Sequence, residues 1–401
     1  MKKILLLVLG TCMMMSCKDR NKTTPTIGNV SNIKIEDAMS LETLSFQNEL
    51  VEGYDLIPLE LTDNSMIGEV SQMDLTDNRI YIFDNKTKTM YVFDRRGKFL
   101  NSIGKRGSGP GEYLALSSFY LNHRKNTINL IDPLAMAVHQ YTLEGAYIKS
   151  VKFKYEPIAM IKRIEMIDGE TLFCATSLNW QQDAGYFILN EKDYSLKQTV
   201  YKYPYNSSGY IAYFNSNQVF SIKKGKVDYI VPFSDTIYSF SNSMTDCPVV
   251  LDHSRKPINQ SQIDQYVDDN NDDYTLTILD ILNNTNYTTG LTNLFESDRY
   301  LCIVFEDKMM LPSAILIDKV DNKKYYIKDF YSTMPNFTSI FYNKNNLFVK
   351  VWSQQSIASF KELYSEGRCP SDCIPQKWAE ILNQYDEQED NPMLVLYKLQ
   401  D

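Results

Sequence analysis

The chain has 401 residues, with 41 Lys and Arg against 50 Asp and Glu, and a formal net charge of −9. This acidic balance argues against nucleic acid as a partner, because binding to phosphate groups requires a basic surface. Hydrophobic residues make up 43% of the chain, which is enough for a large folded core. No later apolar stretch approaches the length of the hydrocarbon core of a bilayer.

Residues 1–16 have the layout of a secretory signal peptide: two lysines, then an apolar run too short to span a membrane. The run ends at Ser16-Cys17, and a small residue directly before cysteine resembles the lipobox of bacterial lipoproteins. The resemblance implies cleavage before Cys17 and a lipid on its sulfur. Residues 17–30, polar and without periodicity, are then a lipidated flexible tether. An ordinary signal peptide with an incidental cysteine is the alternative.

The residue after Cys17 bears on which membrane would hold the protein. It is Lys18, not the aspartate that commonly retains bacterial lipoproteins at the inner membrane. By this resemblance the expected location is the outer membrane, with the folded domain in the periplasm or on the cell surface. The membrane is therefore a predicted partner through the lipid anchor.

A repeated pattern dominates residues 79–148. Asp84 and Gly97 of the first copy correspond to Asp132 and Gly145 of the second, and both pairs are offset by 48 residues. In both copies the glycine comes last in a four-residue turn, where a type I turn favours it. A period in this range indicates stacked or radial repeats.

Short runs rich in Ile, Val, Tyr, Phe and Thr continue along the chain and predict strands. About four strands in each repeat is the content of one β-propeller blade. Six units are predicted, near residues 68–118, 119–162, 163–210, 211–257, 291–333 and 334–401. The last strand candidate, Met393–Leu399, is expected to complete a blade with the strand near Asp55–Leu61, because an unclosed ring would leave open edges.

Two segments interrupt the strand pattern, at about residues 258–289 and 354–390. Their apolar residues recur at helical spacing, which predicts small helical insertions. Insertions of this kind cluster on one face of a propeller and often cover the central channel.

The segment Tyr81–Tyr113 looks like the six-bladed β-propeller lipoproteins related to NHL-repeat (TolB-like) propellers. Val231–Tyr238 and the ending Asn391–Tyr397 share the resemblance, which covers about residues 30–401. It implies an all-β fold: a six-bladed β-propeller of four-stranded blades over residues 31–401, with small helical insertions and a lipoprotein signal peptide. It also implies an anchored binding or scaffold protein, and it carries over no catalytic motif.

Gly104–Tyr113 reads Gly-Lys-Arg-Gly-Ser-Gly-Pro-Gly-Glu-Tyr. It lacks the spacing of a Walker loop and no helix follows it, so a phosphate site is not predicted. We interpret it as a Gly/Pro turn from the outer strand of one blade to the inner strand of the next. Its expected position near the channel mouth makes Arg106, Glu112 and Tyr113 candidate ligand-binding residues, for a protein, peptide or glycan.

Cysteines and acidic residues offer few further sites. Cys369 and Cys373 could form a local disulfide in an oxidising compartment, and the absence of a nearby histidine argues against zinc. Asp268–Asp273 places oxygens as a calcium loop does. It has Asp273 where the loop needs glycine and Leu279 where it needs glutamate, so we interpret it as a solvated acidic loop.

The three histidines are His123, His139 and His253. Some NHL-type propellers are metal-dependent lyases with several histidines facing the channel. Nothing in the sequence places these three together, and no nucleophile elbow is present. The sequence predicts no metal and no cofactor. It favours a non-catalytic binding or scaffold module over the alternative, a lyase or hydrolase with a metal in the central channel.

Overall fold

The computed structural model describes residues 31–41, 50–153, 155, 158, 161–176, 184–203, 218–241, 248–253, 255–259, 261–262, 281–306, 312–328, 341–368 and 374–400. The strands are, in chain order, β1 (Ser31–Lys34), β2 (Met39–Leu41), β3 (Val51–Pro58), β4 (Val70–Leu75), β5 (Arg79–Asp84), β6 (Thr89–Asp94), β7 (Phe99–Ile103), β8 (Lys105–Arg106), β9 (Glu112–Tyr113), β10 (Ser118–Asn122), β11 (Thr127–Asp132), β12 (Ala137–Thr142), β13 (Tyr147–Lys152), β14 (Ile161–Met166), β15 (Thr171–Thr176), β16 (Gly185–Asn190), β17 (Leu196–Lys202), β18 (Phe220–Lys223), β19 (Lys226–Ile230), β20 (Thr236–Phe240), β21 (Val249–Asp252), β22 (Lys256–Pro257), β23 (Tyr287–Thr288), β24 (Leu291–Glu296), β25 (Tyr300–Glu306), β26 (Pro312–Asp318), β27 (Lys323–Lys328), β28 (Tyr342–Lys344), β29 (Leu347–Trp352) and β30 (Met393–Leu399). The helices are a 3₁₀ turn (Ile35–Asp37), α1 (Gln354–Ser365) and α2 (Gln376–Gln384).

The strands form a six-bladed propeller, which confirms the predicted all-β fold class. Blades 1 to 5 are the antiparallel sheets β4–β7, β10–β13, β14–β17, β18–β21 and β24–β27, and blade 6 is β28, β29, β30 and β3. The first strand of each blade is the inner strand, and inner strands of neighbouring blades contact one another around the axis. Each predicted unit contains the strands of one blade, except that Ser118 and residues 161–162 fall in the preceding unit and β3 lies outside the last.

Blade 6 closes the ring by joining the two ends of the propeller. Its outer strand β3 pairs antiparallel with β30, with Leu56 opposite Val395 and Ile57 opposite Leu394. The predicted pairing of the C-terminal strand with an N-terminal strand is therefore confirmed. The closing strand is Val51–Pro58, which begins and ends slightly before the predicted Asp55–Leu61.

Residues Ser31–Leu41 run along the outer edges of blades 4 and 5, and we call them the N-terminal strap. Its strand β1 adds in parallel to β21 at the outer edge of blade 4, and β2 adds in parallel to β27 at the outer edge of blade 5. These two blades thereby become five-stranded sheets, which the sequence did not predict.

The repeated aspartates hold the blade corners together. The carboxylate of Asp84 accepts hydrogen bonds from the backbone N–H groups of Gly68 (2.7 Å), Glu69 (3.0 Å) and Lys86 (2.8 Å). Each aspartate thus ties the turn after the second strand to the connector from the preceding blade. The side chains of Asp84 and Asp132 are both fully buried. The repeated aspartates are therefore explained by buried backbone N–H groups that need hydrogen-bond acceptors.

Asp132 repeats this arrangement in blade 2. It accepts from the N–H groups of Leu114 (2.7 Å), Ala115 (3.3 Å) and Ala135 (2.9 Å). It also shares a hydrogen bond of 3.2 Å with Nε2 of His139. Burial opposes ionisation, but these hydrogen bonds outweigh it and hold the pKa of Asp132 below its usual value.

Helices α1 and α2 pack against blade 6 and are the small helical insertions of the predicted fold class. Ser353 caps α1 by accepting a hydrogen bond from the N–H of Ser356 (3.3 Å). Phe360 packs on Trp352 with ring centroids 5.2 Å apart, and Trp378 of α2 meets Tyr54 of β3 at 5.2 Å. In the other predicted insertion, residues 263–280 lie outside the described residues.

We expect Gly97→Ala to destabilise the ring by more than about 2 kcal/mol. Gly97 has φ +86°, and a Cβ added there would lie 2.0 Å from the carbonyl oxygen of Pro58 on the closing strand. Gly225→Ala is the matched control: its φ is +80° but no atom lies within 4 Å of the added Cβ, so about 1 kcal/mol is expected from the backbone alone. Urea unfolding of both variants measures the difference, and equal losses would contradict the packing argument.

Asp132→Asn is expected to lower the free energy of unfolding at pH 7 by about 1–3 kcal/mol, because buried N–H groups lose a charged acceptor. The folded-state pKa is the lower one, so this contribution is complete above the unfolded value of about 3.9 and is lost as pH falls through the folded value. The difference in the free energy of unfolding between wild type and variant should therefore be smaller at pH 3 than at pH 7. Chemical unfolding at both pH values tests this, with Asp63→Asn at an exposed position as control. A difference that becomes larger in acid would refute it.

Candidate functional site: the central channel

The inner strands of all six blades surround a cavity of about 280 Å³ on the propeller axis. Its lining comes from β4, β10, β14, β18, β24 and β28 and from the residues next to them. The charged and imidazole-bearing members are Asp74, His123, Arg163, Glu165, Lys223, Glu296, Asp298 and Lys344. Most of these lie at the carboxyl ends of the inner strands, and we call that end of the cavity the channel mouth.

Polar side chains of the wall bond across the blade boundaries. Gln72 of blade 1 donates to the carbonyl of Phe119 (2.7 Å) and accepts from the Phe119 N–H (3.1 Å) and the Ser118 hydroxyl (2.8 Å), all in blade 2. Asn343 of blade 6 donates to the carbonyl of Glu296 in blade 5 (3.1 Å). The wall therefore satisfies most of its own hydrogen-bonding groups.

Arg163 is the most deeply buried charge of the wall, with 7% of its surface exposed. Its guanidinium donates to the carbonyl of Phe220 in blade 4 (2.8 Å), and its carbon lies 4.3 Å from the centre of the Phe220 ring. It also donates through Nε to Oε1 of Glu165 at 2.8 Å. Removing one residue of this bonded group would leave its buried partners unpaired, so Arg163 is a structural element of the channel wall.

The seam between blades 6 and 1 also lies in the wall. The hydroxyl of Tyr342 donates to Oδ1 of Asp74 at 2.6 Å, and Lys344 donates to the carbonyl of Leu75. Burial, and then the charges of Asp74 and Glu165, raise the pKa of Tyr342 well above its usual value. Asp74 and Glu165 both line the cavity.

A second group of charges lies at the mouth on blades 4 and 5. Lys223 Nζ is 3.3 Å from Oδ1 of Asp298 and 3.9 Å from Oε1 of Glu296, which also binds Lys319 at 2.7 Å. Burial opposes the charge on Lys223, but the hydrogen bond to Asp298 and the charge of Glu296 raise its pKa. For Lys319, burial lowers the pKa and the nearby Lys223 adds to that effect.

Glu165 retains binding capacity that the wall does not use. Its side chain is 37% exposed, and Arg163 occupies only one of its carboxylate oxygens. His123 lines the cavity and is exposed. Among the described residues, no group of three or more His, Cys, Asp and Glu side chains could hold a metal ion. The free carboxylate oxygen of Glu165 can accept a hydrogen bond from a small polar group in the cavity.

The predicted ligand residues of the Gly-rich stretch lie elsewhere. The stretch connects β7 to β10 as predicted, but it contributes none of the described residues that line the cavity. Arg106 is exposed, Tyr113 is buried between blades 1 and 2, and Glu112 accepts from the Gly109 N–H (2.8 Å) and pairs with Lys105 (3.1 Å). These bonds hold the connector in shape, and ligand binding by the three residues stays a prediction.

The other candidates are dispersed. His139 is buried beside Asp132, and His253 packs on Phe305 with ring centroids 5.6 Å apart. Cys17, the proposed disulfide partners Cys369 and Cys373, and the acidic segment Asp268–Asp273 lie outside the described residues.

Sequence reasoning missed the cavity-lining residues because each inner strand shows only ordinary alternation of polar and apolar residues. Asp74, Glu165 and Glu296 are polar residues near strand ends, a position that usually faces solvent. One signal was available: the same type of residue occurs at that place in three of the predicted units. Recognising it requires the strand bounds to within one residue, which the sequence does not provide.

Two solved structures resemble this one over most of their length. A Bacteroides fragilis protein provisionally described as exported has a TM-score of 0.68 and 19% identity, covering 92% of this chain and 100% of that one. A member of the DUF4221 family from Bacteroides vulgatus has a TM-score of 0.53 and 12% identity, covering 88% and 98%. At such identities the likeness concerns the fold alone.

None of the curated proteins matches the chain. In the part of the chain that the structure describes, no helix is both long and apolar enough to cross a membrane. The model of one family, described as a domain of unknown function, matches residues 30–398, which include every described blade. The chain therefore belongs to the DUF4934 family.

Proposed function

We propose that this protein is a non-catalytic binding module that holds a small polar ligand, or one side chain of a peptide or glycan-bearing partner, at the channel mouth. The observation that carries the proposal is the cavity itself, at which charged side chains from separate blades converge. The wall uses most polar atoms in bonds between blades, which leaves a rigid frame with few free groups. A preorganised site of this kind favours binding over chemistry.

A free carboxylate oxygen defines what the ligand would offer. Glu165 keeps one carboxylate oxygen without a partner among the described residues. Lys223 lies at the same mouth, but its ammonium already donates to the carbonyls of Ser297 (3.1 Å) and Asp298 (3.3 Å) and pairs with Oδ1 of Asp298 (3.3 Å). A ligand with a hydrogen-bond donor for Glu165 therefore fits. The lyase or hydrolase alternative would need several histidines at the channel. Of the three described histidines only His123 lines the cavity, because His139 is bound within blade 2 and His253 packs on Phe305.

We further propose that the protein is a lipoprotein of the cell envelope, anchored at the outer membrane through Cys17. The support is the signal-like residues 1–16 and the serine directly before the cysteine. The description of the Bacteroides fragilis relative as exported agrees with this location. The resemblance of Tyr81–Tyr113 to NHL-repeat (TolB-like) propellers supports a relation to that group.

The channel proposal predicts a position-specific crosslink in intact cells. A photoreactive residue at Asn345, which is exposed at the cavity, should capture the ligand, and the same residue at exposed Asp193 in a turn of blade 3 should not. Glu165→Gln in the Asn345 background should reduce capture about ten-fold, because a charged hydrogen-bond acceptor is lost. Identical crosslinked products from both positions, or capture that is indifferent to Glu165, would contradict binding at the mouth.

The anchor proposal predicts that Cys17→Ala releases the protein from membranes. Without the thiol no lipid can be attached, so the protein should move from the membrane fraction to the aqueous fraction. Cys12→Ala is the matched control, since this cysteine lies within the proposed signal peptide, and it should leave the protein in the membrane fraction. Retention of the Cys17→Ala variant would show that the attachment is not through this residue.

A further inference from the structure

The outer strand β13 of blade 2 is an open sheet edge with unusual exposure. It pairs with β12 on one side and is the last strand of its sheet in the described structure. Five of its six residues are exposed, and these include Tyr147 at 40% and Ile148 at 46%. An edge strand presents unpaired backbone N–H and C=O groups that can accept another strand.

The same molecule shows how such an edge is covered. At blade 4 the N-terminal strap runs parallel to β21, with Ser31 opposite Val249 and Lys34 opposite Asp252. Ile33 of the added strand is only 8% exposed, so the addition also buries apolar surface. Short parallel strand addition is therefore an arrangement that this propeller already uses, and among the described strands none covers the equivalent edge of blade 2.

Blades 1, 3 and 6 also lack an added strand among the described residues, and each is less open. In blade 6, Trp378 of α2 packs on Tyr54 of β3, and Lys377 pairs with Asp55 at 2.8 Å. In blade 1, Asn101 of β7 donates to the carbonyl of Glu144 at 3.2 Å, so a turn of blade 2 covers part of that edge. In blade 3, Tyr201 of β17 packs on Tyr203 and Tyr238 at 6.0 and 6.2 Å. Blade 2 is consequently the edge at which a new strand meets least obstruction.

The charge of β13 indicates which kind of strand it would bind. β13 carries Lys149 and Lys152 and no acidic residue, although the whole chain has a net charge of −9. Lys149 is exposed and makes no ion pair within the described residues. On blade 5 the strap offers a parallel case, because Asp37 lies 4.0 Å from Nζ of Lys324 on β27. Pairing of two β13 edges would bring lysines together, which disfavours a second copy of this chain.

We propose that β13 is a docking edge for an extended acidic peptide segment of a partner protein, which adds as a fifth strand of blade 2. The backbone of the segment would supply the hydrogen bonds. Its carboxylates would lie beside Lys149 on one face of the sheet and beside Lys152 on the other, because side chains alternate between the two faces. Its apolar residues would cover Tyr147 and Ile148. This site is separate from the channel mouth and does not depend on the ligand proposed there.

The test uses the full chain and a dye-labelled peptide Val-Val-Glu-Thr-Val-Glu with Gly-Ser ends, which as a strand places one carboxylate on each face of the sheet. Fluorescence anisotropy should show saturable binding, and hydrogen exchange should show new protection at Tyr147–Lys152. The same peptide with backbone N-methylation along one edge should not bind, because it cannot form the strand ladder. Lys149→Glu should weaken binding about five-fold, because it replaces an opposite-charge cross-strand pair with a like-charge pair.

Lys192→Glu is the matched control, since it makes the same charge change at an exposed turn of blade 3 and should leave the affinity unchanged. The proposal is overturned if the peptide does not bind, if the N-methylated peptide binds as well, or if protection appears outside blade 2. It is also overturned if β13 is already protected in a concentration-dependent dimer of the protein alone.

Discussion

Closure of the ring by β3 is the interaction on which the rest of the structure depends. A four-stranded blade cannot bury both of its faces alone, and the six blades bury theirs only against one another. The pairing of β3 with β30 lies within blade 6 and joins residues separated by most of the chain. Tyr342 and Lys344 bond blade 6 to blade 1 at the boundary between these blades. Loss of either set of contacts would separate the inner strands and disrupt the cavity wall. Closure of the ring therefore supports both the stability of the fold and the candidate site.

The 48-residue repeat reflects residues that the blade corners require, and not residues of a binding site. In blades 1 and 2 the turn before the outer strand requires a left-handed residue, which is glycine at 97 and 145. The corresponding turn of blade 3 places Tyr194 at φ 55°, and that of blade 5 places Asn322 at φ 54°. The backbone conformation persists while the residue type changes. This is why only two copies are visible in the sequence although the fold has six blades.

The parts of the structure that were predictable are those set by local pattern. Strand runs, the closing pair and the connector at Gly104–Tyr113 follow from periodicity and turn chemistry. The N-terminal strap was not predictable, because strands of four and three residues carry too little pattern. The channel lining was missed for a different reason: which side chains face the axis depends on the register and twist of each blade, and neither can be read from residue type.

The Gly-rich connector and the channel mouth differ in whether their side chains have hydrogen-bonding groups free for a ligand. Around the Gly-rich connector, Glu112 is held by Gly109 and Lys105, so binding there would first have to break bonds that shape the loop. At the channel mouth, Arg163 fixes one oxygen of Glu165 and leaves the other available, so the carboxylate is oriented before a ligand arrives. A group that is held in position without being fully used loses little entropy on binding. On this argument the mouth at Glu165, and not the connector, is where recognition is expected.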